Sequence, residues 1–406
     1  MMEEWKEYRL DEVCKSIADG DHMPPPKVKR GIPFVTISNI KDNRLDLSDT
    51  YFVPQEYYDA LDSKRKPQMG DTIYSVVGTF GKPVYIKDNN PFVFQRHIAI
   101  LRPDASFLNP LFLYYTLLSP QFYTKADIMA IGAVQRTISL TSLRNATIQI
   151  PSLTVQEEIV SKLKTLDDKI EVNRRINDNL EQQAQALFKS WFVDFEPFKD
   201  GEFVDSELGM IPKGWRVVSL GDLMCYNGGS QPPASEFIEE YKEGYIRFIQ
   251  IRDYASDSHI TYIPISKRNK LCDVKDIMIA RYGASLGRIC YGLKGAYNVA
   301  LAKVTPIKDY YREYLRCFLN TREFYEGINN KGNRAVQAGF NQSDIQSFRI
   351  PFPADEDILK RFENLCSSYF ERRLLNVKES RHLTTLRDTL LPKLMSGELK
   401  VNEIEI

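Results

Sequence analysis

The sequence contains the stretch IGAVQRTISL at residues 131–140, and part of it returns in NRAVQAGFNQ at residues 333–342. The tripeptide Ala133-Val134-Gln135 recurs as Ala335-Val336-Gln337, which is 202 positions later (335 − 133). A phrase that returns after so many residues indicates an internal repeat, because one domain-sized segment separates the two copies.

The segments around this phrase also match in pairs and in the same order. The pairs are WKEYRL (5–10) with WRVVSL (215–220), GIPFVTISNI (31–40) with YIRFIQIRDY (245–254), and GDTIYSVVGTFGK (70–82) with KDIMIARYGASLGR (275–288). In the last pair, Asp71, Gly78, Gly81 and Lys82 align with Asp276, Gly283, Gly287 and Arg288. This ordered series predicts a duplication, with one domain of the same fold in each half.

Each half mixes the patterns of strands and helices. Short β-branched and aromatic runs bounded by Gly, Pro and Asp predict strands, and they are PFVTISNI (33–40), DTIYSVV (71–77), HIAILRP (97–103) and RFIQI (247–251). The segments 110–124 and 310–328 are predicted as helices. The fold class is therefore α/β (mixed), with two pseudo-symmetric domains.

Two apolar seams with alternating steps of four and three follow these domains. The first is Leu163, Leu166, Ile170, Asn173, Asn177, Leu180, Ala184, Leu187, Trp191, and the second is Phe362, Leu365, Tyr369, Arg372, Asn376, Glu379, Leu383, Leu386, Leu390. This spacing is typical of coiled coils. Both seams are polar in the middle, which favours an antiparallel pair; the alternative is two separate amphipathic helices, each packed on its own domain.

These patterns divide the chain into four segments. They are a domain at 1–150, a helix at 151–198, a second domain at 199–352 and a second helix at 353–399. A helix of about 40 residues is ~60 Å long, at 1.5 Å per residue.

Charge is distributed unevenly although 54 basic and 54 acidic residues cancel over the whole chain. Residues 151–212 carry 7 basic and 13 acidic side chains, net −6, whereas residues 213–352 carry 20 and 14, net +6. Because local charge decides phosphate binding, the neutral total does not exclude a nucleic-acid partner. The six cysteines form no CxxC pair, and we expect reduced thiols, no metal site, no membrane span and a cytoplasmic location.

The sequence offers only weak matches to known catalytic motifs. The sequence has no phosphate loop of the GxxxxGK[ST] type and no GxGxxG after a strand. Polar and basic residues beside glycine turns remain, and arginine and glutamine are the side chains that read guanine and adenine. The candidate DNA-binding residues are Lys82, Arg96, Gln135, Arg136, Arg281, Arg288, Lys303, Arg334 and Gln337. The alternative is that the glycines only form hairpin turns and the charges are solvated.

Four stretches resemble specificity subunits of Type I restriction–modification systems. They are GAVQRTISLTSLRNATIQIPSLTVQEEIV (132–160), ALFKSWFVDFEPF (186–198), IPKGWRVVSLGDL (211–223) and LLPKLMSGEL (390–399). Their order covers nearly the whole chain. The first half departs from this pattern, since it begins with MMEEWKEYRL and has no IPxGW lead-in.

The resemblance implies two target-recognition domains separated by two antiparallel helices. Each domain would read one half of a split sequence in double-stranded DNA. The helices would set the gap and dock two methyltransferase subunits, which bring S-adenosylmethionine, and translocating nuclease subunits can join them. The chain itself would bind no cofactor and have no active site.

Three aromatic residues at the end of the first helix, Phe188, Trp191 and Phe192, are candidate contacts for the partner subunit because they are large and apolar. The alternative is that they pack on the neighbouring domain. Two other interpretations of the whole chain remain open at this point: a protein-only coiled-coil scaffold, and a single-chain enzyme with a degenerate site.

Overall fold

The computed structural model describes residues 5–22, 25–41, 43–133, 135–255, 257, 259–332 and 340–404. The chain forms two compact units, one of Met1–Ile170 with Arg381–Ile406 and the other of Glu171–Ser380. The border between them therefore falls inside each of two long helices. We call the α/β part of the first unit, up to Ile150, domain 1, and the α/β part of the second, residues 203–353, domain 2.

Domain 1 is built on a four-stranded antiparallel sheet. Its elements are β1 Lys6–Arg9, α1 Leu10–Val13, β2 Cys14–Asp19, β3 Ile32–Val35, β4 Ile40–Lys41, β5 Arg44–Leu45, β6 Tyr51–Val53, α2 Gln55–Asp59, β7 Thr72–Ser75, β8 Pro83–Tyr85, β9 Val93–Phe94, β10 Ile98–Pro103, α3 Pro110–Leu118, α4 Pro120–Met129, α5 Leu140–Asn145 and β11 Thr147–Ile150. The main sheet has the order β2-β10-β7-β8. A second sheet, β6-β3-β9, pairs β3 and β9 in parallel, and β1 pairs with β11.

Domain 2 repeats this plan. After the 40-residue helix α6 Leu153–Phe192, its elements are β12 Phe203–Val204, β13 Ile211–Pro212, β14 Trp215–Ser219, β15 Met224–Gly228, β16 Tyr245–Ile249, β17 Thr261–Pro264, β18 Leu271–Cys272, β19 Ile277–Ala280, β20 Ile289–Cys290, β21 Gly295–Tyr297, β22 Leu301–Pro306, α7 Arg312–Leu319, α8 Arg322–Gly332, α9 Gln342–Gln346 and β23 Arg349–Pro353. The second 40-residue helix, α10 Glu356–Met395, follows.

The predicted duplication is confirmed strand by strand. The sheet β15-β22-β19-β20 has the order of β2-β10-β7-β8, and the parallel pair of β16 and β21 corresponds to that of β3 and β9. Two aligned glycine pairs share the left-handed conformation, with φ of 71° at Gly78 and 69° at Gly283, and of 85° at Gly81 and 80° at Gly287. The mixed α/β class with two pseudo-symmetric domains is thus confirmed.

The two segments predicted as helical each contain two helices rather than one. In domain 1 the break is at Ser119, whose hydroxyl accepts a hydrogen bond from the Phe122 amide at 3.2 Å and begins α4. The ring of Pro120 also disfavours a helical conformation of the residue before it. In domain 2, Thr321 accepts from the Phe324 amide at 3.2 Å in the same way. The apolar pattern continues across both breaks, so it does not reveal them.

The two long helices are antiparallel within the second unit, where they meet through polar groups. The Asn173 amide donates to the Glu379 carboxylate at 2.7 Å, and the Asn376 amide donates to the Asn177 side chain at 2.9 Å. Arg373 forms an ion pair with Glu181 one to two turns away. These contacts agree with the predicted polar middle of both seams, since hydrogen-bonded asparagines at such positions specify register.

In the first unit, the start of α6 packs against the end of α10. Leu163 and Leu166 on α6 and Leu391 and Leu394 on α10 are all buried. The Arg387 guanidinium donates to the Asp167 carboxylate at 2.8 Å, and this pair lies beside the Tyr115 hydroxyl of domain 1. Each unit therefore has its own antiparallel helix pair covered on one side by an α/β domain.

The seam drawn by strict heptads is wrong near the start of α10. The seam predicts a buried Leu365, but this residue is 44% exposed, whereas its neighbour Cys366 is 1% exposed and Phe370 is 3% exposed. A straight α-helix turns every 3.6 residues, so its buried face drifts away from a 3.5-residue repeat.

Among the described residues, none of the helices has the length and apolar character needed to span a lipid bilayer.

Candidate nucleic-acid interface

One end of the main sheet in domain 1 gathers most of the candidate side chains of that half. The register places Ser75 of β7 opposite Ile98 of β10, and Asp19 of β2 opposite Ala99. The ends of β2 and β7 and the starts of β8 and β10 therefore lie together. We call the segments 19–22, 75–82 and 95–98 the polar end of domain 1, and the corresponding segments 228–230, 280–288 and 298–301 the polar end of domain 2.

The polar end of domain 1 carries Arg96 on a tight turn. The amide of Ile98 donates to the Gln95 carbonyl at 3.0 Å and closes the turn, and the Arg96 amide donates to the Asp21 carbonyl at 2.9 Å. The Arg96 side chain is exposed, and it has no ion-pair partner among the described residues. Burial, and after it the charge of Arg96, lower the pKa of the His97 ring below its ordinary value, so this imidazole is neutral at pH 7.

Lys82 and the loop that contains Gln135 and Arg136 lie beside the same turn region. Lys82 and Gln135 are exposed. Arg136 is already engaged, because it forms an ion pair with Asp127 and its guanidinium lies 5.2 Å from the centre of the Phe80 ring. We therefore assign Arg136 a role in holding this loop on the domain, and its predicted contact with DNA stays a prediction.

The polar end of domain 2 carries Arg281 and Arg288. The Arg281 guanidinium lies 5.0 Å from the ring centre of Tyr282 and 5.8 Å from that of Tyr226, and its Nη1 donates to the Val299 carbonyl at 3.3 Å. Arg288 is exposed at the edge of a cleft of about 650 Å³ that Arg322 and Tyr325 also line. This end of the sheet is therefore cationic.

The remaining candidate positions lie elsewhere. The Lys303 ammonium forms an ion pair with Asp276 at 3.2 Å. Asp276 precedes β19, so this pair is at the opposite end of the sheet from Arg281. Arg334 and Gln337, with the second copy of the opening tripeptide, lie outside the described residues.

The three aromatic residues proposed as partner contacts lie at the end of α6. Phe188 is 3% exposed and Phe192 is 2% exposed, while Trp191 is half-buried. The ring centre of Phe192 is 4.8 Å from that of Tyr314 and 5.0 Å from that of Phe362. For Phe188 and Phe192 this burial favours the alternative in which they pack on the neighbouring domain, because a side chain without exposed surface offers no contact to another subunit. For the half-buried Trp191, contact with the partner subunit stays a prediction.

Two glycines that the repeat alignment missed shape both polar ends. A Cβ atom on Gly20 would lie 2.0 Å from the Phe94 carbonyl oxygen, and one on Gly229 would lie 2.1 Å from the Asn298 carbonyl oxygen. Both glycines come directly after the first strand of the main sheet, in ADGD (18–21) and NGGS (227–230). A glycine at a strand end in both halves is the signal that predicts this close approach.

The described part of the chain contains no group of three or more His, Cys, Asp or Glu side chains that could hold a metal ion. Burial raises the pKa of the Cys272 thiol to about 12 and that of Cys290 to about 11, so both stay protonated and unreactive at neutral pH.

Comparison with known proteins adds independent information. The family model described as "Type I restriction modification DNA specificity domain" matches residues 2–182 and 212–378. The specificity subunit of the Type I restriction enzyme HindI from Haemophilus influenzae is 24% identical over 98% of this chain and 100% of that protein. The specificity subunit of the Type I restriction enzyme MjaIX from Methanocaldococcus jannaschii is 30% identical over 72% of this chain and 70% of that protein.

A solved structure resembles the whole chain in fold. It is the crystal structure of the S subunit of a Type I restriction–modification system from M. genitalium, with a TM-score of 0.54 and 17% sequence identity. The match covers 97% of this chain and 96% of that one. At this level of identity the likeness concerns the fold.

Proposed function

Since this chain belongs to the Type I restriction modification DNA specificity family, we propose that it recognises a split target in double-stranded DNA. Each domain reads one half-site. The family model matches both halves separately, at residues 2–182 and 212–378, which supports one recognition unit in each.

The observation that carries this proposal is the pair of polar ends. Both are formed by the same four strands in the same order, so both domains can approach a duplex in the same way. Their side chains differ, with Arg96 and Lys82 in one and Arg281 and Arg288 in the other. A shared scaffold with different polar groups suits two half-sites of different sequence, because base edges are distinguished by donors and acceptors.

The partners belong to the proposal as well. Two methyltransferase subunits dock on the helices α6 and α10 and bring S-adenosylmethionine, and translocating nuclease subunits can join the complex in the cytoplasm. This chain reads DNA and carries out no catalysis. The internal duplication supports two equivalent partners, because a pseudo-twofold protein offers each partner a similar surface.

The role of the helices as a spacer is tested by lengthening both. Inserting one heptad into α6 and one into α10 adds ~10 Å of helix, at 1.5 Å per residue. We expect the recognised gap to widen by about three base pairs, given ~34 Å per turn of about ten base pairs, while both half-sites stay the same. Sequencing of the methylated positions measures the gap and the two half-sites. An unchanged gap in a variant that still directs methylation contradicts the spacer role.

The recognition role itself is tested with the chain and its methyltransferase partners on labelled duplexes. A gel shift that depends on DNA sequence is expected, and a protein-only scaffold gives no shift. Replacing residues 213–352 by the same segment of a relative should change one half-site and leave the other unchanged. Methyl transfer from labelled S-adenosylmethionine by the isolated chain contradicts the non-catalytic role.

A further inference from the structure

A four-residue turn at the start of β10 in domain 1 and of β22 in domain 2 has the same backbone hydrogen bond in both domains. In domain 1 the turn is 95–98, closed by the Ile98 amide and the Gln95 carbonyl at 3.0 Å. In domain 2 it is 298–301, closed by the Leu301 amide and the Asn298 carbonyl at 3.1 Å. Gln95 therefore corresponds to Asn298, and both positions carry a side-chain amide.

Hydrogen bonds from neighbouring strands fix this correspondence. The Val76 amide donates to the His97 carbonyl at 2.9 Å, and the Arg281 amide donates to the Ala300 carbonyl at 2.8 Å. Val76 thus corresponds to Arg281, and His97 corresponds to Ala300. On the other side of the turn, the Gly20 amide donates to the Ile98 carbonyl at 3.2 Å, and the Gly229 amide donates to the Leu301 carbonyl at 3.0 Å.

This correspondence shows that the two domains supply a guanidinium at the turn from different chain positions. In domain 1 the turn itself carries Arg96, and its counterpart in domain 2 is Val299. In domain 2 the guanidinium comes from Arg281 and donates to the carbonyl of Val299, the residue that replaces Arg96. The counterpart of Arg281 in domain 1 is the apolar Val76, so each domain has one arginine at this place.

We propose that Arg96 and Arg281 are equivalent specificity-determining residues, each of which donates to a guanine edge in the half-site read by its own domain. This inference rests on the proposed function of the two domains. Arginine reads guanine through hydrogen bonds to O6 and N7 in the major groove. The Asn298 side chain holds its own turn, because it is buried and its Oδ1 accepts a hydrogen bond from the Ala300 amide at 3.2 Å.

The surroundings of the two arginines suit this role better than those of Arg136. A reading guanidinium needs donors that are not already used, and Arg96 has no ion-pair partner among the described residues. Arg281 is held by two tyrosine rings and by the bond from its Nη1 to the Val299 carbonyl, which reduces the entropy lost on binding. Its Nη2 donates to no described residue and is available to a base. Arg136 is instead paired with Asp127.

The test uses the full chain with its methyltransferase partners and duplexes in which each base pair of both half-sites is substituted in turn. Arg96→Gln should reduce discrimination roughly tenfold to a hundredfold at one or two base pairs of one half-site. Arg281→Gln should do the same in the other half-site. Arg9→Gln and Arg349→Gln are matched controls, because both residues are exposed and ion-paired on the same domains, and they should leave every position unchanged.

The outcomes separate this inference from the proposed function. If the unsubstituted chain shows no preference for any DNA sequence, the proposed function fails and this inference fails with it. If that chain is selective but Arg96→Gln and Arg281→Gln weaken binding to all duplexes equally and lower the salt dependence, the arginines contact phosphate and only this inference is overturned. Arg281→Lys keeps the charge but not the fork of donors, so it should lose the same discrimination even if Arg281→Gln does not fold.

A rescue variant tests the equivalence directly. Arg281→Val combined with Val299→Arg rebuilds the arrangement of domain 1 within domain 2. This double variant should recover at least tenfold of the discrimination lost by Arg281→Val, at the same base pairs. Discrimination no better than that of Arg281→Val alone overturns the equivalence.

Discussion

The second unit should lose stability as the pH rises from about 5 to about 8, because it contains a carboxyl group that burial keeps protonated. Glu363 on α10 is half-buried, and its carboxylate accepts a hydrogen bond from the Glu313 amide at 2.8 Å. Burial raises the pKa of Glu363 from 4.5 to about 7, and the charge of Glu313 adds to the rise, while Arg312 and Arg316 oppose it.

The sign follows from the proton balance. Because the folded-state pKa lies above the unfolded value, the folded unit binds more protons, and the resulting stabilisation is complete below pH 4.5. It is lost as the pH rises through about 7. At one pKa unit per 1.36 kcal/mol, the loss between pH 5 and pH 8 is about 2.5 kcal/mol. Partial contact with water reduces this, and we expect about 1–2.5 kcal/mol.

Urea unfolding of the full chain at pH 5 and pH 8 measures this difference. The chain has three tryptophans, Trp5 in the first unit and Trp191 and Trp215 in the second. In a Trp5→Phe background, tryptophan fluorescence therefore reports on the second unit alone. The midpoint should be lower at pH 8 by about 0.5–1 M urea, for a slope of about 2–3 kcal/mol per M.

Glu363→Gln is the decisive variant, because an amide keeps an acceptor for the Glu313 backbone and cannot ionise. It should be more stable than the parent at pH 8 and close to it at pH 5. Glu356→Gln is the matched control on the same helix: hydrogen bonds from Lys308 and Tyr310 lower the pKa of Glu356, so it stays ionised at both pH values. A stability difference between Glu363→Gln and its parent that is the same at pH 5 and pH 8 refutes the reasoning.

Three further predictions concern the packing of the same structure. Phe362→Ala should lower the free energy of unfolding of the second unit by about 3–5 kcal/mol, because Phe362 is fully buried. Leu365→Ala on the exposed face of the same helix should change it by less than ~0.5 kcal/mol. Urea midpoints measure both. Gly20→Ala should lower the thermal midpoint of the first unit and impair one half-site, because a Cβ there meets the Phe94 carbonyl at 2.0 Å; methylation that stays normal at both half-sites contradicts this. Asn376→Ala leaves the half-buried Asn177 side chain on α6 without its donor at 2.9 Å and should cost about 0.5–1.5 kcal/mol in urea unfolding; a cost near zero means that water replaces the lost bond.

Much of the architecture could be predicted before any coordinates. The repeat alignment paired Gly78 with Gly283 and Gly81 with Gly287, and both pairs share one backbone conformation. Such glycines are visible in a sequence because only their missing side chain permits that conformation without strain. The polar middle of both seams likewise predicted the antiparallel contact between Asn376 and α6, since polarity along a helix is read directly from residue order.

Which side chains meet at the two polar ends could be learned only from the tertiary structure. No alignment of the two halves pairs Arg96 with Arg281, because the two residues occupy different positions of the repeat and meet the same turn only after the strands have paired. The recurring tripeptide indicates Arg136 as a candidate for base contact, but the Arg136 side chain forms an ion pair with Asp127. The sequence alone determines the duplicated α/β plan and its helical segments, because strand and helix periodicity are local. Which guanidinium reaches the polar end of each domain is decided by the tertiary structure, because a long side chain can cross to a strand that is distant in sequence.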